Sequence, residues 1–138
     1  MQPADPRVIT LLNDALTLEL TVVNTYFLHA RMLNHWGVTK LGRHEYKESI
    51  DEMKHADKLA ERILFLEGLP NFQALGKLRI GETPRELLEC DLALELDVGP
   101  LVVGESVGLQ LHDVFQPAVG NLLVVAGVVA RGEGVFLP

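Results

Sequence analysis

The sequence predicts an all-α protein, an antiparallel helical bundle with one long crossover. Three observations carry that reading. Apolar residues recur at three- and four-residue steps over two long stretches, 6–34 and 39–67. Only a short turn at Trp36-Gly37 separates them, so the two helices must be antiparallel neighbours. The connection that follows, Asn71 to Glu82, is long and has no helical period, which requires the chain to cross along the bundle before a third helix begins.

Asp5-Pro6 starts the first helix, as an N-cap followed by proline at the first helical position. Leu12, Ala15, Leu16, Glu19, Val22, Val23, Tyr26 and Ala30 then form one stripe. Glu19 and Tyr26 are seven apart and share a face, which puts a carboxylate on an otherwise apolar stripe. Taken alone, Glu19 also reads as a helix-edge glutamate that reaches solvent. His29 and His35, near the helix end, read as surface or capping residues rather than ligands.

The second helix, expected over Thr39 to Glu67, contains EYKESIDEMKHADKLAERILFLEGLP. Gly68 occupies the place of a left-handed C-cap glycine, and Pro70 prevents continuation. One face runs through Glu52, His55, Leu59, Ile63 and Leu66, with Glu48 and Glu45 upstream. It is apolar in its second half and acidic in its first. Burying a carboxylate costs several kcal/mol unless it is paired or bound to a metal. Glu52-x-x-His55 inside a bundle suits a metal, because side chains at i and i+3 converge. Met53 lies about 200° from His55 around the helix. It reads as a packing methionine, or as a thioether offered to a haem iron if subunits pair through that outer face.

Thr83, Pro84 and Glu86 make a capping box that opens the third helix. Leu87, Leu88, Asp91, Leu92 and Glu95 follow at helical steps. Glu95 is a third carboxylate at or near an inward face, with an exposed glutamate near a helix end as the alternative.

At 138 residues and 48% hydrophobic, the chain has the makings of one domain with a real core. Its net charge of −7 argues against nucleic-acid and anionic-membrane partners. Cys90 is the sole cysteine, so no disulfide framework exists within the chain. The start, MQPADPRVITLLND, lacks the pattern of a signal peptide, and no run of about 18 apolar residues is present. The expected location is the cytoplasm.

The segments LTLELTVVNTYFLHARML, EYKESIDEMKHADKLAERILFLEGLPN and LGKLRIGET…DLALELD make Met1 to Asp97 closely similar to bacterioferritin, of the ferritin-like superfamily. The resemblance implies a ferritin-like four-helix-bundle subunit in a 24-subunit shell. It implies a di-iron centre that oxidises Fe(II), with ferric mineral stored inside. Glu19 and His55 would then be terminal ligands of one iron, Glu52 would bridge the two, and Glu95 would be a terminal ligand of the second. Tyr26 would sit beside the centre and Asp51 near the iron path. Met53 and its mate from a twofold-related subunit would be the axial ligands of haem b at a dimer interface.

The resemblance stops after Asp97. The remainder, 98–138, holds seven of the twelve glycines and no lysine, and it lacks a second Glu-x-x-His. No sustained helical period marks a fourth helix there. Gly99-Pro100 is expected to break the third helix. A reading-frame change accounts for so abrupt a shift. A divergent C-terminus packed as strands or as a buried apolar segment, such as Val119 to Ala130, is the alternative.

Three functions compete at this point. The first is an iron-storage subunit with ferroxidase activity. The second is a catalytically incomplete haem-binding or structural subunit that co-assembles with complete ones. The third is a helical protein without metal chemistry.

Overall fold

The structure is a computed structural model that describes residues 5–102, with side chains described as far as Glu95. It contains three helices among those residues: α1 (Pro6–His35), α2 (Thr39–Phe65) and α3 (Pro84–Val102). The chain divides into two compact units, Met1–Ile80 and Gly81–Pro138. Most of the tail expected to diverge, residues 103–138 with the Val119 to Ala130 run, lies outside the described residues.

The first unit is a helical hairpin. Asp5 caps α1 by accepting a hydrogen bond from Arg7 N at 2.9 Å, and Pro6 takes the first helical position. α1 ends in a Schellman turn: Val38 N donates to Leu33 O at 2.9 Å and Gly37 N to Asn34 O at 3.1 Å. Gly37 sits at φ +81°, where a side chain would be strained. The turn sends α2 back along α1. Val23 O accepts from Ser49 Oγ at 3.2 Å, and Gly42 lies where an added Cβ would overlap the Asn34 side chain and come within 3.2 Å of Ala30 O. The core between the helices holds Leu12, Leu16, Leu20, Val23, Leu33, Ala56, Leu59 and Ile63.

α2 ends at Phe65, two residues short of the expected Glu67. Its C-terminus is also a Schellman turn, with Gly68 N donating to Ile63 O at 2.9 Å and Glu67 N to Leu64 O at 3.0 Å. The left-handed residue is Glu67 at φ 60°, not the expected Gly68. Gly68 is small for another reason. A Cβ there would come within 2.7 Å of Ile9 Cδ1 and 3.0 Å of Ile63 Cγ2, so the glycine lets the chain cross closely over both helices.

The crossover is without helix or strand, as expected, and is tied to α1. Asn13 donates from Nδ2 to Leu69 O at 3.1 Å and accepts from Asn71 N at 2.8 Å. Thr21 Oγ1 accepts from Gly76 N at 2.8 Å. These bonds give an irregular segment the partners its backbone requires.

In the second unit, Thr83 Oγ1 accepts from Glu86 N at 3.2 Å, and the Glu86 carboxylate reaches back to Glu82 N at 3.1 Å. That is a capping box displaced by one residue at its return bond. α3 runs through Gly99-Pro100 to Val102 rather than breaking at that pair. Proline removes only one helical hydrogen bond, and with the end two residues away little helix depends on it.

Candidate metal centre

Glu19 is carried by α1, and Glu52 and His55 by α2. One donor atom from each lies within 4.8 Å of the other two. His55 Nδ1 is 2.9 Å from Glu52 Oε2, the convergence that the three-residue spacing prescribes. The same nitrogen is 3.8 Å from Glu19 Oε2. All three side chains are buried, Glu19 to 1% exposure. Neither oxygen of Glu19 has a hydrogen-bond partner.

Burial forces the protonation states apart. Desolvation pushes the Glu19 carboxyl up to about 9. The facing carboxylates of Glu19 and Glu52 push the His55 imidazole up to about 10. Burial also works against ionised Glu52, but His55 and then Glu19 outweigh it and hold Glu52 below its usual value. The cluster without a cation therefore holds protons where a cation's charge would otherwise sit. Two carboxylates and one imidazole around a common point suit a borderline divalent ion such as Fe(II), Mn(II) or Zn(II). The unsatisfied Glu19 oxygens are the observation that fits a metal, since a buried carboxylate without a partner is costly.

The other expected site residues fall as follows. Tyr26 is buried on α1, one heptad beyond Glu19. Glu95 lies on α3 in the second unit and is half-buried. Asp51 is held by two lysines, Lys47 Nζ at 2.7 Å and Lys54 Nζ at 3.0 Å. Met53 is 44% exposed, following Ile50 and Tyr46 at helical steps on the outer side of α2. Both are also exposed, as is Phe27 of α1, whose ring centroid is 6.0 Å from that of Tyr46. Arg31 lies over both rings, 5.3 Å from one centroid and 5.5 Å from the other. An exposed thioether beside apolar side chains fits a flat apolar ligand such as haem.

His29 corrects one expectation. It is fully buried, not a surface or capping residue. Desolvation pulls its imidazole down to about 4, against the opposing charge of Glu45. The signal was present in the spacing, because His29 is three residues after Tyr26 and directly before Ala30, inside the inward arc. Among the described residues no helix is long and apolar enough to cross a membrane.

A buried carboxylate–imidazole cluster set between two long antiparallel helices defines a class of metal-binding helical proteins. The ferritin-like domain matches this sequence over residues 9–100. Bacterioferritin from Mycobacterium bovis is 56% identical over 94 residues, covering 68% of this chain and 59% of the relative. Bacterioferritin from Brucella melitensis is 57% identical over 93 residues, covering 67% and 58%. The solved structure of Rhodobacter capsulatus bacterioferritin, described with a metal-free dinuclear site and a haem iron on a crystallographic special position, aligns with TM-score 0.83 and 40% identity. That alignment covers 96% of this chain and 89% of the other. The chain belongs to the ferritin-like family and, within it, to the bacterioferritins. It spans about 59% of the length of the curated relatives it matches.

Proposed function

We propose that this chain is a cytoplasmic iron-storage subunit that takes Fe(II) as substrate at Glu19, Glu52 and His55 and oxidises it. The ferric product would be stored as mineral within an oligomeric shell. The observation that carries this reading is the fully buried Glu19 carboxylate, unpartnered and facing His55. By likeness to the family, Glu52 would bridge the two ions, and its Oε2 lies 2.9 Å from His55 Nδ1. By likeness to the family, Glu95 completes the set on a second iron. Two Fe(II) supply two electrons to one oxidant, dioxygen or peroxide. The chain's residues bind the ions, release protons as the cations enter, and keep water out. Met53, flanked by Ile50 and Tyr46, would hold haem b together with the same residues of a second copy. A bound haem supplies one-electron transfer.

Oxygen uptake on adding Fe(II) to the full chain tests the reading. Consumption in proportion to iron, lost in Glu52→Gln, is the expected result. Uptake no faster than in buffer, with Fe(II) also oxidised by added peroxide no faster than in buffer, overturns it.

One observation favours a second reading, a catalytically incomplete subunit that co-assembles with complete ones. The sequence holds a single Glu-x-x-His, Glu52 to His55. A haem absorbance band that Met53→Leu abolishes, in a chain that does not oxidise Fe(II), would establish that alternative.

A further inference from the structure

We infer that two copies of this chain pair through the outer face of the hairpin about a twofold axis at Met53, with Arg31 of each copy bonded to the Asp57 and Glu61 carboxylates of the other. The inference rests on the second copy that the haem reading above calls for. It names the contacts that set the register of that copy, with or without haem.

Tyr46, Ile50, Met53, Asp57 and Glu61 lie within about 80° of arc on α2, and all five are exposed. Phe27 and Arg31, four residues apart, share one face of α1 and stand against Tyr46. Phe27, Tyr46, Ile50 and Met53 are each 41% exposed or more. They form an apolar patch spread over two helices, with an arginine at one end. Aromatic side chains and arginine are the residues that anchor contacts between proteins.

The charges at the two ends of the patch decide the occupant. The Arg31 guanidinium lies 5.3 Å from the Phe27 ring centroid and 5.5 Å from that of Tyr46. Stacking engages the faces of a guanidinium and leaves its in-plane N–H groups free for a carboxylate. Among the described residues Arg31 has no carboxylate partner, and neither Asp57 nor Glu61 has a cationic one. Lys54, three residues before Asp57, is held by Asp51 at 3.0 Å. One end of the patch therefore offers an unpaired cation and the other end two unpaired anions.

Such a surface complements itself when a second copy is turned about a twofold at its middle. The register follows from the helix. Tyr46, whose ring Arg31 covers, is seven residues before Met53, about 10 Å along the axis. Seven residues after Met53 is position 60, flanked by Asp57 and Glu61. An axis at Met53 thus lays each Arg31 on the acidic end of the other copy. The same axis sets two Met53 thioethers on opposite sides of one point, the arrangement that a haem iron takes.

Sedimentation of the haem-free full chain with reversed charges tests the pairing. Arg31→Glu alone, and Asp57→Arg with Glu61→Arg alone, should each weaken association about a hundredfold, because like charges then meet at both ends of the patch. An equimolar mixture of the two variants should associate as tightly as the wild type, since every reversed end meets its opposite. All three changes in one chain should do the same. The positions are exposed, and circular dichroism checks that each variant folds. Should the double variant fold poorly, Arg31→Glu mixed with Glu61→Arg carries the test. Wild-type association in Arg31→Glu, or no recovery in the mixture, overturns the inference and leaves the haem reading standing. A wild-type chain that stays monomeric overturns it too and assigns the face to a different partner. Recovery in the mixture, with no haem band in the paired wild-type chain, supports this inference and overturns the haem reading alone.

Discussion

Glu19 of α1 and His55 of α2 face one another across 3.8 Å, and no hydrogen-bond donor serves either oxygen of the glutamate. A fold that required only stability would fill that position with leucine, as it does at Leu16 and Leu20 on the same helix. Retaining a carboxylate there costs desolvation energy, which only a proton or a cation offsets. The pair therefore ties the stability of the hairpin to pH and to metal.

The metal-free chain should lose stability as pH rises. Glu19 holds its proton to about 9 in the fold against an ordinary 4.5, and His55 to about 10 against 6.5. In the unfolded chain both protons leave at the ordinary values. Stability contributed by these raised groups is thus complete at low pH and drains away above 4.5 for Glu19 and above 6.5 for His55. Thermal melts in the presence of a chelator should show Tm falling from pH 6.5 to 9. Glu19→Gln keeps the neutral shape and removes its own titration, so its Tm should fall less over that range. A Tm that climbs with pH in the wild-type chain would contradict the assignment.

Cation affinity should move in the opposite direction. Ligands must shed their protons to bind, so affinity for Co(II) rises from pH 6.5 to 9 while metal-free stability declines. His55→Ala removes the imidazole outright. Its affinity should drop by more than the roughly 10- to 100-fold typical of losing an outer-shell partner. Titration calorimetry with Co(II) measures both effects. An unchanged dissociation constant in His55→Ala would place the cation elsewhere.

Much of this was legible in the residues. Glu52 and His55 could be paired from their spacing, because a helix of fixed pitch leaves no other arrangement. Glu19 could be set on their level from the short Trp36-Gly37 turn. What could not be read were features that depend on close approach in three dimensions. The burial of His29 depends on α2 packing over it, and a histidine near a helix end looks the same whether covered or not. Glu67 rather than Gly68 takes the left-handed position because Gly68 is needed where the chain passes Ile9. Pro100 falls inside α3, where a break is expected from the sequence, because a proline removes only one helical hydrogen bond.

His29 gives the acid limb of the stability curve. Its imidazole falls to about 4 in the fold against 6.5 unfolded. Below 6.5 the unfolded chain takes up a proton that the fold refuses, so this contribution is present above 6.5 and is lost as pH falls toward 4. His29→Gln removes it. The urea midpoint of the wild-type chain should drop further between pH 7 and pH 4.5 than that of His29→Gln. Equal drops would mean that His29 charges freely in the fold and is not sealed as described.

The two ends of the hairpin make a matched test of backbone strain. Gly37 and Glu67 occupy equivalent left-handed positions in two Schellman turns, at φ +81° and φ 60°. A side chain in that region costs about 1 kcal/mol relative to glycine. Gly37→Ala should therefore destabilise by about 1 kcal/mol, and Glu67→Gly should stabilise by a similar amount, less the small gain in unfolded-state entropy. Gly68→Ala should cost more than Gly37→Ala, although its backbone is relaxed, because its methyl would push Ile9 and Ile63 apart at the point where the crossover leaves α2. Urea denaturation of the three variants orders them. If Gly68→Ala proves neutral while Gly37→Ala is costly, the strain lies in the backbone alone and Gly68 does not approach Ile9 of α1 closely.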